Sequence, residues 1–249
     1  MPRAARNLIG LAVFFAIWEA ASRFGLVSAV FLPPPGVVAL RLVELAGQNA
    51  FRRDVIASVL AWAVAMAVTI AVAVPAGLVL GSFPPLRTVT RVIVQFLRPI
   101  PAVALIPLAL LALGGGPDAK IALAVYASVW PILFHAVHAL AEIDPIRLET
   151  ARSFGFGRTR ILLTVALPHA APFIFTGIRH ASPIALILVV STEFLAGARP
   201  GIGDFLLDAS TGAGRMDLVL AGTVVAGLFG LLLNHGLERL GRRLFRWPT

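Results

Sequence analysis

The sequence predicts an all-α membrane protein with six transmembrane helices, and three observations support that fold class. Of the 249 residues, 59% are hydrophobic and 13% are charged, whereas soluble domains average roughly 45–50% and about 25%. The mean hydropathy is +0.91. The long uncharged runs are continuous and lack the alternating pattern of membrane β-strands, so they predict helices. Lipid is therefore the expected surrounding of most of this chain.

Six candidate spans follow from the rule that a helix of about 20 apolar residues crosses the bilayer core. They cover residues 8–25, 55–81, 95–113, 120–141, 168–195 and 217–238. The first span follows Arg3 and Arg6 and also resembles a signal peptide, with Ala20 and Ala21 near a cleavage-like site. The five further spans favour an uncleaved helix, so residues 1–249 are predicted to form one transmembrane domain.

The charge balance predicts the orientation of these spans. Basic residues outnumber acidic ones by 21 to 12, for a net charge of +9. In a soluble protein this excess would suggest nucleic-acid binding, but in a membrane protein it is typical of basic cytoplasmic loops. Nucleic acid is therefore not an expected partner. With the N-terminus in the cytoplasm, most arginines fall on cytoplasmic segments, so both termini and the loop 142–168 are predicted to be cytoplasmic. In the outer loop 31–54, the amphipathic stretch 40–46 predicts a helix on the membrane surface.

Several kinds of chemistry are excluded by residue content and spacing. The chain has no cysteine, which excludes disulfides and thiol chemistry. Its only lysine, Lys120, does not follow a glycine, so no phosphate-binding P-loop is present. His135 and His138 share one helical face but have no further ligands nearby, which favours packing over metal binding. Ser210 lies in a predicted outer loop, far from any histidine in a span. No cofactor, metal or enzymatic activity is therefore expected.

The loop 142–168 is predicted to form two short helices that project from the membrane. Pro145 suits the first turn of a helix, and Gly155 can end that helix with a left-handed backbone. A second helix runs from Arg158 to Pro168, whose fixed φ sets the start of span five. The loop is therefore expected to form a knob in the cytoplasm.

The spacing within this loop resembles the EAA signature of binding-protein-dependent ABC importers. That signature is Glu-Ala-Ala, three residues, Gly, nine residues, Ile, one residue and Leu-Pro. The residues that occupy it here are Glu149, Thr150, Ala151, Gly155, Val165, Leu167 and Pro168. Thr150 and Val165 depart from the pattern without changing its spacing. The resemblance implies a type I ABC importer permease fold, a multi-pass protein of the bacterial inner membrane.

Further segments resemble the branch of this family that carries nitrate, sulfonates, taurine or bicarbonate. These segments are residues 31–35, 95–101, 105–108, 177–179 and 201–203. Residues 111–116 depart from the aromatic–glycine pattern of that branch. The resemblance covers nearly the whole chain and implies a small, anionic solute, while the departure leaves its identity open.

The family resemblance also implies partners. Two separate ABC ATPase subunits would dock on the cytoplasmic loop, a substrate-binding protein would deliver the solute from outside, and a second copy of the chain would complete the pore. The residues expected to couple to the ATPase are Glu149, Thr150, Ala151, Phe154, Gly155, Leu167 and Pro168. The alternative function is a secondary transporter driven by an ion gradient, which would predict an inverted repeat and acidic residues at the midplane. No repeat relates the two halves of the sequence.

Span five contains the candidate residues of the translocation path. At 100° per residue, Arg179, Pro183 and Glu193 fall on one stripe of the helix. An arginine inside a membrane span is costly and suggests a function by default. The alternative is that Arg179 reaches the cytoplasmic surface and pairs with Asp144 or Glu142. Both interpretations remain open from the sequence.

Overall fold

A computed structural model describes residues 3–212 and 214–245, which are helical with short connections and contain no strand. This confirms the all-α fold class. The helices are α1 (Arg3–Arg23), α2 (Pro35–Gly47), α3 (Asn49–Ser82), α4 (Pro84–Leu97), α5 (Ile106–Leu113), α6 (Pro117–Ala141), α7 (Pro145–Ser153), α8 (Arg158–Ile161), α9 (Leu167–Ala196), α10 (Ile202–Gly212) and α11 (Met216–Leu244).

Four helices of the described part of the chain are long and apolar enough to cross a membrane. They are α3, α6, α11 and the continuous run 158–196, which contains α8 and α9. They coincide with predicted spans two, four, five and six. Helix α1, with 21 residues, occupies most of the first predicted span.

The third predicted span, residues 95–113, is not one helix. Helix α4 ends at Leu97, and α5 begins only at Ile106, after a 3₁₀ turn at Ala102–Leu105. Prolines at 99 and 101 explain the break, because a proline lacks the N–H needed for a helical hydrogen bond and disfavours helix in the preceding residue. The Tyr126 hydroxyl of α6 donates to the Leu97 carbonyl at 2.7 Å and holds the interrupted segment.

The core lies where α6 packs between α3 and α9, and it is built from small residues. A Cβ added to Gly77 of α3 would lie 2.4 Å from the Cβ of Ala136 in α6. At Gly177 of α9, an added Cβ would lie 3.0 Å from the Cα of Ile132. Small residues at these crossings allow the close backbone approach that helix packing in a membrane requires.

The bundle has two ends, which we name after the short helices that lie there. The α7 end is where α3 and α6 finish, at Ser82 and Ala141. The α10 end is where α9 finishes, and there α2 packs on the first half of α11 through buried Val38 and Leu45. The surface helix predicted over 40–46 is therefore present as part of α2, and its buried face contacts protein.

Candidate functional site

Helix α7 has a defined cap at each end. The Asp144 carboxylate accepts a hydrogen bond from the Ile146 N–H at 2.9 Å and caps the start. At the other end, the N–H of Phe156 donates to the Ala151 carbonyl at 3.1 Å, and the N–H of Gly155 donates to the Arg152 carbonyl at 2.8 Å. This pair of bonds is a Schellman motif, which needs a left-handed residue after the helix. Gly155 has φ +74°, as predicted.

The turn after α7 presents an apolar tip with basic neighbours. Phe154 is 76% exposed, although large aromatic side chains are usually buried. The Arg160 guanidinium carbon lies 3.9 Å from the centroid of the Phe156 ring. Glu149 and Thr150 are exposed on α7, whereas Ala151 is buried against the bundle. An exposed aromatic flanked by charge is typical of a protein-binding surface.

The second predicted short helix is not separate from span five. Helix α8 continues through a π turn, Leu162–Ala166, directly into α9. The wider turn accommodates Pro168, which cannot donate a backbone hydrogen bond. Leu167 is half-buried and Pro168 is exposed. The projecting knob is therefore α7 with the Gly155 turn, mounted on the end of a long helix.

A cavity of about 700 Å³ separates α7 from the start of α9. Its walls include Ile146, Thr150, Pro168 and Phe173. Helix α7 contacts α8 and the π turn 162–166, and its Thr150 side chain is exposed.

Arg179 lies in the membrane-spanning part of α9 without a charged partner. Its side chain is half-buried, and its Nε atom is buried with no hydrogen-bond partner. Within the described residues it forms no ion pair with Asp144, Glu142 or any other carboxylate. Pro183, one turn further along, is exposed. A guanidinium in this position could attract an anion, since it lacks the compensation that a buried charge needs.

Glu193 occupies a different setting from Arg179. It is fully buried, and its carboxylate forms a 2.6 Å ion pair with Lys120, which is 1% exposed. The Ser58 hydroxyl lies 2.7 and 2.9 Å from the two carboxylate oxygens. The cluster joins α3, α6 and α9 at the α10 end, and Glu193 has no open side from which it could line a path.

The turn between α9 and α10 closes over this ion pair. The N–H of Gly203 donates to Glu193 at 3.0 Å, and Lys120 donates to the Pro200 carbonyl at 2.8 Å. A Cβ added to Gly201 would lie 2.1 Å from the Glu193 carboxyl carbon. We name Ser58, Lys120, Glu193 and the turn 200–203 the buried latch.

The latch was not predicted from the sequence, where Lys120 was considered only for a P-loop and Glu193 was a candidate residue of the translocation path. Lys120 in fact lies in the first turn of α6, fully buried. One signal could have found the pair: the single lysine of the chain stands at the start of a span, and a lone glutamate stands at the end of another. Buried charges of opposite sign in a membrane protein are expected to pair.

Other charges at the α10 end are also paired. Arg41 of α2 donates to Asp217 of α11 at 2.7 Å, and Arg215 contacts the same carboxylate at 2.8 Å. Hydrogen bonds to Glu44 and then to Asp217 raise the pKa of Arg41. Arg199 lies 3.1 Å from Asp204. These ion pairs join α2, α10 and the connecting turns to the long helices.

The histidines of α6 make hydrogen bonds rather than a metal cluster. His138 Nδ1 lies 2.9 Å from the Phe134 carbonyl, and His135 Nε2 lies 3.4 Å from His180 Nδ1 of α9. Across residues 3–212 and 214–245, no three metal-ligating side chains come together.

Comparisons with known proteins point to one family. The chain matches the family model described as "Binding-protein-dependent transport system inner membrane component" over residues 73–247. It is similar to the taurine transport system permease protein TauC of Escherichia coli (strain K12), with 31% identity over 95% of this chain and 87% of that protein. It is also similar to the bicarbonate transport system permease protein CmpB of Synechocystis sp., with 28% identity over 94% of this chain and 86% of that protein.

Solved structures share the fold. A chain of the MetNI methionine ABC transporter in an inward-facing conformation aligns with a TM-score of 0.69 at 19% identity, over 78% of this chain and 95% of that one. A chain of a bacterial ABC transporter that imports the acidic polysaccharide alginate aligns with a TM-score of 0.62 at 14% identity, over 97% of this chain and 96% of that one.

Proposed function

The chain belongs to the family of binding-protein-dependent transport system inner membrane components, and we propose that it carries a small anionic solute across the bilayer. As an ABC importer permease subunit it is a multi-pass membrane protein and not itself an enzyme. The observation that carries the proposal is Arg179, a cation in a membrane span without a carboxylate partner among the described residues. Relatives named for taurine and bicarbonate transport support a solute with an oxyanion group, because taurine carries a sulfonate and bicarbonate is itself an oxyanion.

In this proposal Arg179 and Pro183 line the path. Glu193, as part of the buried latch, joins the helices at the α10 end. A guanidinium offers five N–H donors in a planar fork, which matches a sulfonate or carboxylate better than a point charge does. The path would be completed by a second copy of the chain, since one bundle leaves the Pro183 face of α9 uncovered.

The proposal places the α7 end in the cytoplasm, with both termini on the same side, in a bacterial inner membrane. The exposed Phe154 tip would dock on an ATPase subunit, two of which would serve the dimer. An extracytoplasmic binding protein would release the solute at the α10 end. Closure of the ATPases would then rock the bundles as rigid bodies, with α7 as the connection.

The first test concerns Arg179 in reconstituted transporter. We expect Arg179→Gln to lower uptake of a sulfonate solute at least tenfold while the ATPase subunits still co-purify, because only the charge on the path is lost. Arg179→Lys should retain part of the uptake, since it keeps the charge but not the fork. Arg242→Gln is the matched control, because that arginine is exposed and already paired with Glu238 at 2.8 Å.

Normal uptake by Arg179→Gln, with the control also normal, would remove Arg179 from the path. If instead uptake falls for a sulfonate and a neutral solute alike, the arginine has a structural role and the anionic class is wrong.

A further inference from the structure

A second cavity, of about 370 Å³, lies between α4 and α6 toward the α7 end. Its wall includes apolar Leu133 and Val94, together with four polar side chains: Thr90, Gln95, Arg98 and His138. Arg179 is not part of this wall. The cavity is therefore distinct from the path position assigned to Arg179.

Arg98 enters this cavity with its charge uncompensated. Its guanidinium carbon lies 4.6 Å from the centroid of the Phe134 ring, so one face of the group is stacked. In the part of the chain that the structure describes, its side chain makes no ion pair and no hydrogen bond. The N–H donors at the edge of the guanidinium are thus available to a ligand.

Arg98 follows the last residue of α4 and is exposed in the single chain, so a ligand can reach its guanidinium from outside. Phe134, against which it stacks, lies seven residues before Ala141, the last residue of α6. At about 1.5 Å per residue, that distance is roughly 10 Å along the helix. A guanidinium stacked on a ring at this position along a spanning helix is costly in a bilayer unless an anion or water reaches it.

The other polar groups complete a donor set. His138 Nδ1 is the donor to the Phe134 carbonyl at 2.9 Å, so neutral His138 presents Nε2 as an acceptor and the protonated form presents it as a second donor. The Gln95 amide adds two N–H donors. On the opposite side of α4, Val92 and Phe96 are 71% and 72% exposed. Helix α4 therefore turns its apolar face outward, as a lipid-facing helix does, and its polar face toward the cavity.

We propose that this cavity binds an oxyanion through Arg98, with Gln95 and His138 as supporting groups. The oxyanion has two sources with the same chemistry: the sulfonate or carboxylate of a small solute, or the phosphate of a phospholipid headgroup. Basic cavities between membrane helices bind anionic headgroups in other proteins. The site requires neither the ATPase nor the solute specificity proposed above.

The small-anion source is tested on the purified chain in nanodiscs of phosphatidylcholine. Methanesulfonate, titrated at constant ionic strength, should raise the midpoint of thermal unfolding in a saturable way. Arg98→Gln should raise the half-saturating concentration at least tenfold, and His138→Ala about threefold. Arg160→Gln is the matched control, because it also removes an arginine stacked on a ring, that of Phe156, but outside the cavity.

The headgroup source is tested by native mass spectrometry of the same proteins with phosphatidylglycerol. Retained lipid that falls at least threefold in Arg98→Gln and stays constant in Arg160→Gln would assign the site to a headgroup. If Arg98→Gln does not fold, both assays are interpreted from the comparison of His138→Ala with wild type. Equal responses of wild type, the cavity variants and Arg160→Gln to both probes would overturn the proposal. Neither assay measures uptake, so a failed transport function would not affect the result.

Discussion

Several charged side chains at the α10 end of the bundle are paired, whereas two basic side chains toward the α7 end lack acidic partners in the part of the chain that the structure describes. At the α10 end, Lys120 is buried with Glu193, and Arg41 and Arg199 contact aspartates. Toward the α7 end, Arg98 and Arg179 have no carboxylate partner among the described residues, and the ion pair found there joins Arg242 to Glu238 on one exposed helix face.

The difference has a physical meaning. A fully buried ion pair with its hydrogen bonds satisfied cannot serve a ligand, but its loss leaves a charge stranded in low dielectric. A cation without an acid can serve an anionic ligand, and its loss costs the fold less. We therefore expect substitutions at the α10 end to act on stability and substitutions at the α7 end to act on binding and coupling.

The largest loss of stability is expected from Lys120→Met. This change strands the Glu193 carboxylate, so we expect the folded protein to lose about 3–5 kcal/mol of stability. This loss of stability is measured by the yield of membrane-inserted protein and by the midpoint of thermal unfolding in detergent. The exposed Arg242→Met, which breaks the ion pair of the α7 end, should cost about 0–1 kcal/mol. Equal losses in the two variants would contradict the comparison.

The second largest loss of stability is expected from Gly201→Ala. The added methyl would lie 2.1 Å from the Glu193 carboxyl carbon, so the turn or the ion pair must move. Overpacking of this kind costs about 1–3 kcal/mol. Gly236→Ala, in α11 where nothing lies within 4 Å of the new Cβ, is the control and should be neutral or slightly stabilising. An unchanged thermal midpoint for Gly201→Ala would mean that the latch is not rigid.

The smallest effect on stability, and a large one on function, is expected from Gly155→Asp. A side chain at φ +74° costs only about 1 kcal/mol, but the turn that aims Phe154 would change. We expect normal membrane insertion with loss of ATPase co-purification and of uptake. Gly157→Asp adds the same charge two residues away, at φ −70° with open space around it, and should retain both.

A Gly155→Asp protein that keeps its ATPase and transports normally would show that α7 is not the coupling element. Parallel losses in Gly157→Asp would attribute the effect to the added charge and not to the turn.

Much of this protein could be predicted from the sequence by itself. Composition and uncharged runs determined the all-α membrane class, because the bilayer admits few ways to satisfy backbone groups. The start of α7 at Pro145 and the positive φ of Gly155 were also predictable, since caps and turns depend on neighbouring residues. The helix start and the glycine turn depend on neighbouring residues, and the fold class follows from the lipid that surrounds the chain.

Only the tertiary structure decided which charges meet. Lys120 and Glu193 are 73 residues apart in sequence, and Ser58 is 135 residues from Glu193, so no local pattern joins them. The same holds for the cavity of Arg98 and His138, which is lined by residues of α3, α4 and α6 that are distant in sequence. Periodicity gives the face of a helix on which a residue stands, but whether that face meets a partner, lipid or an open cavity depends on how the helices pack.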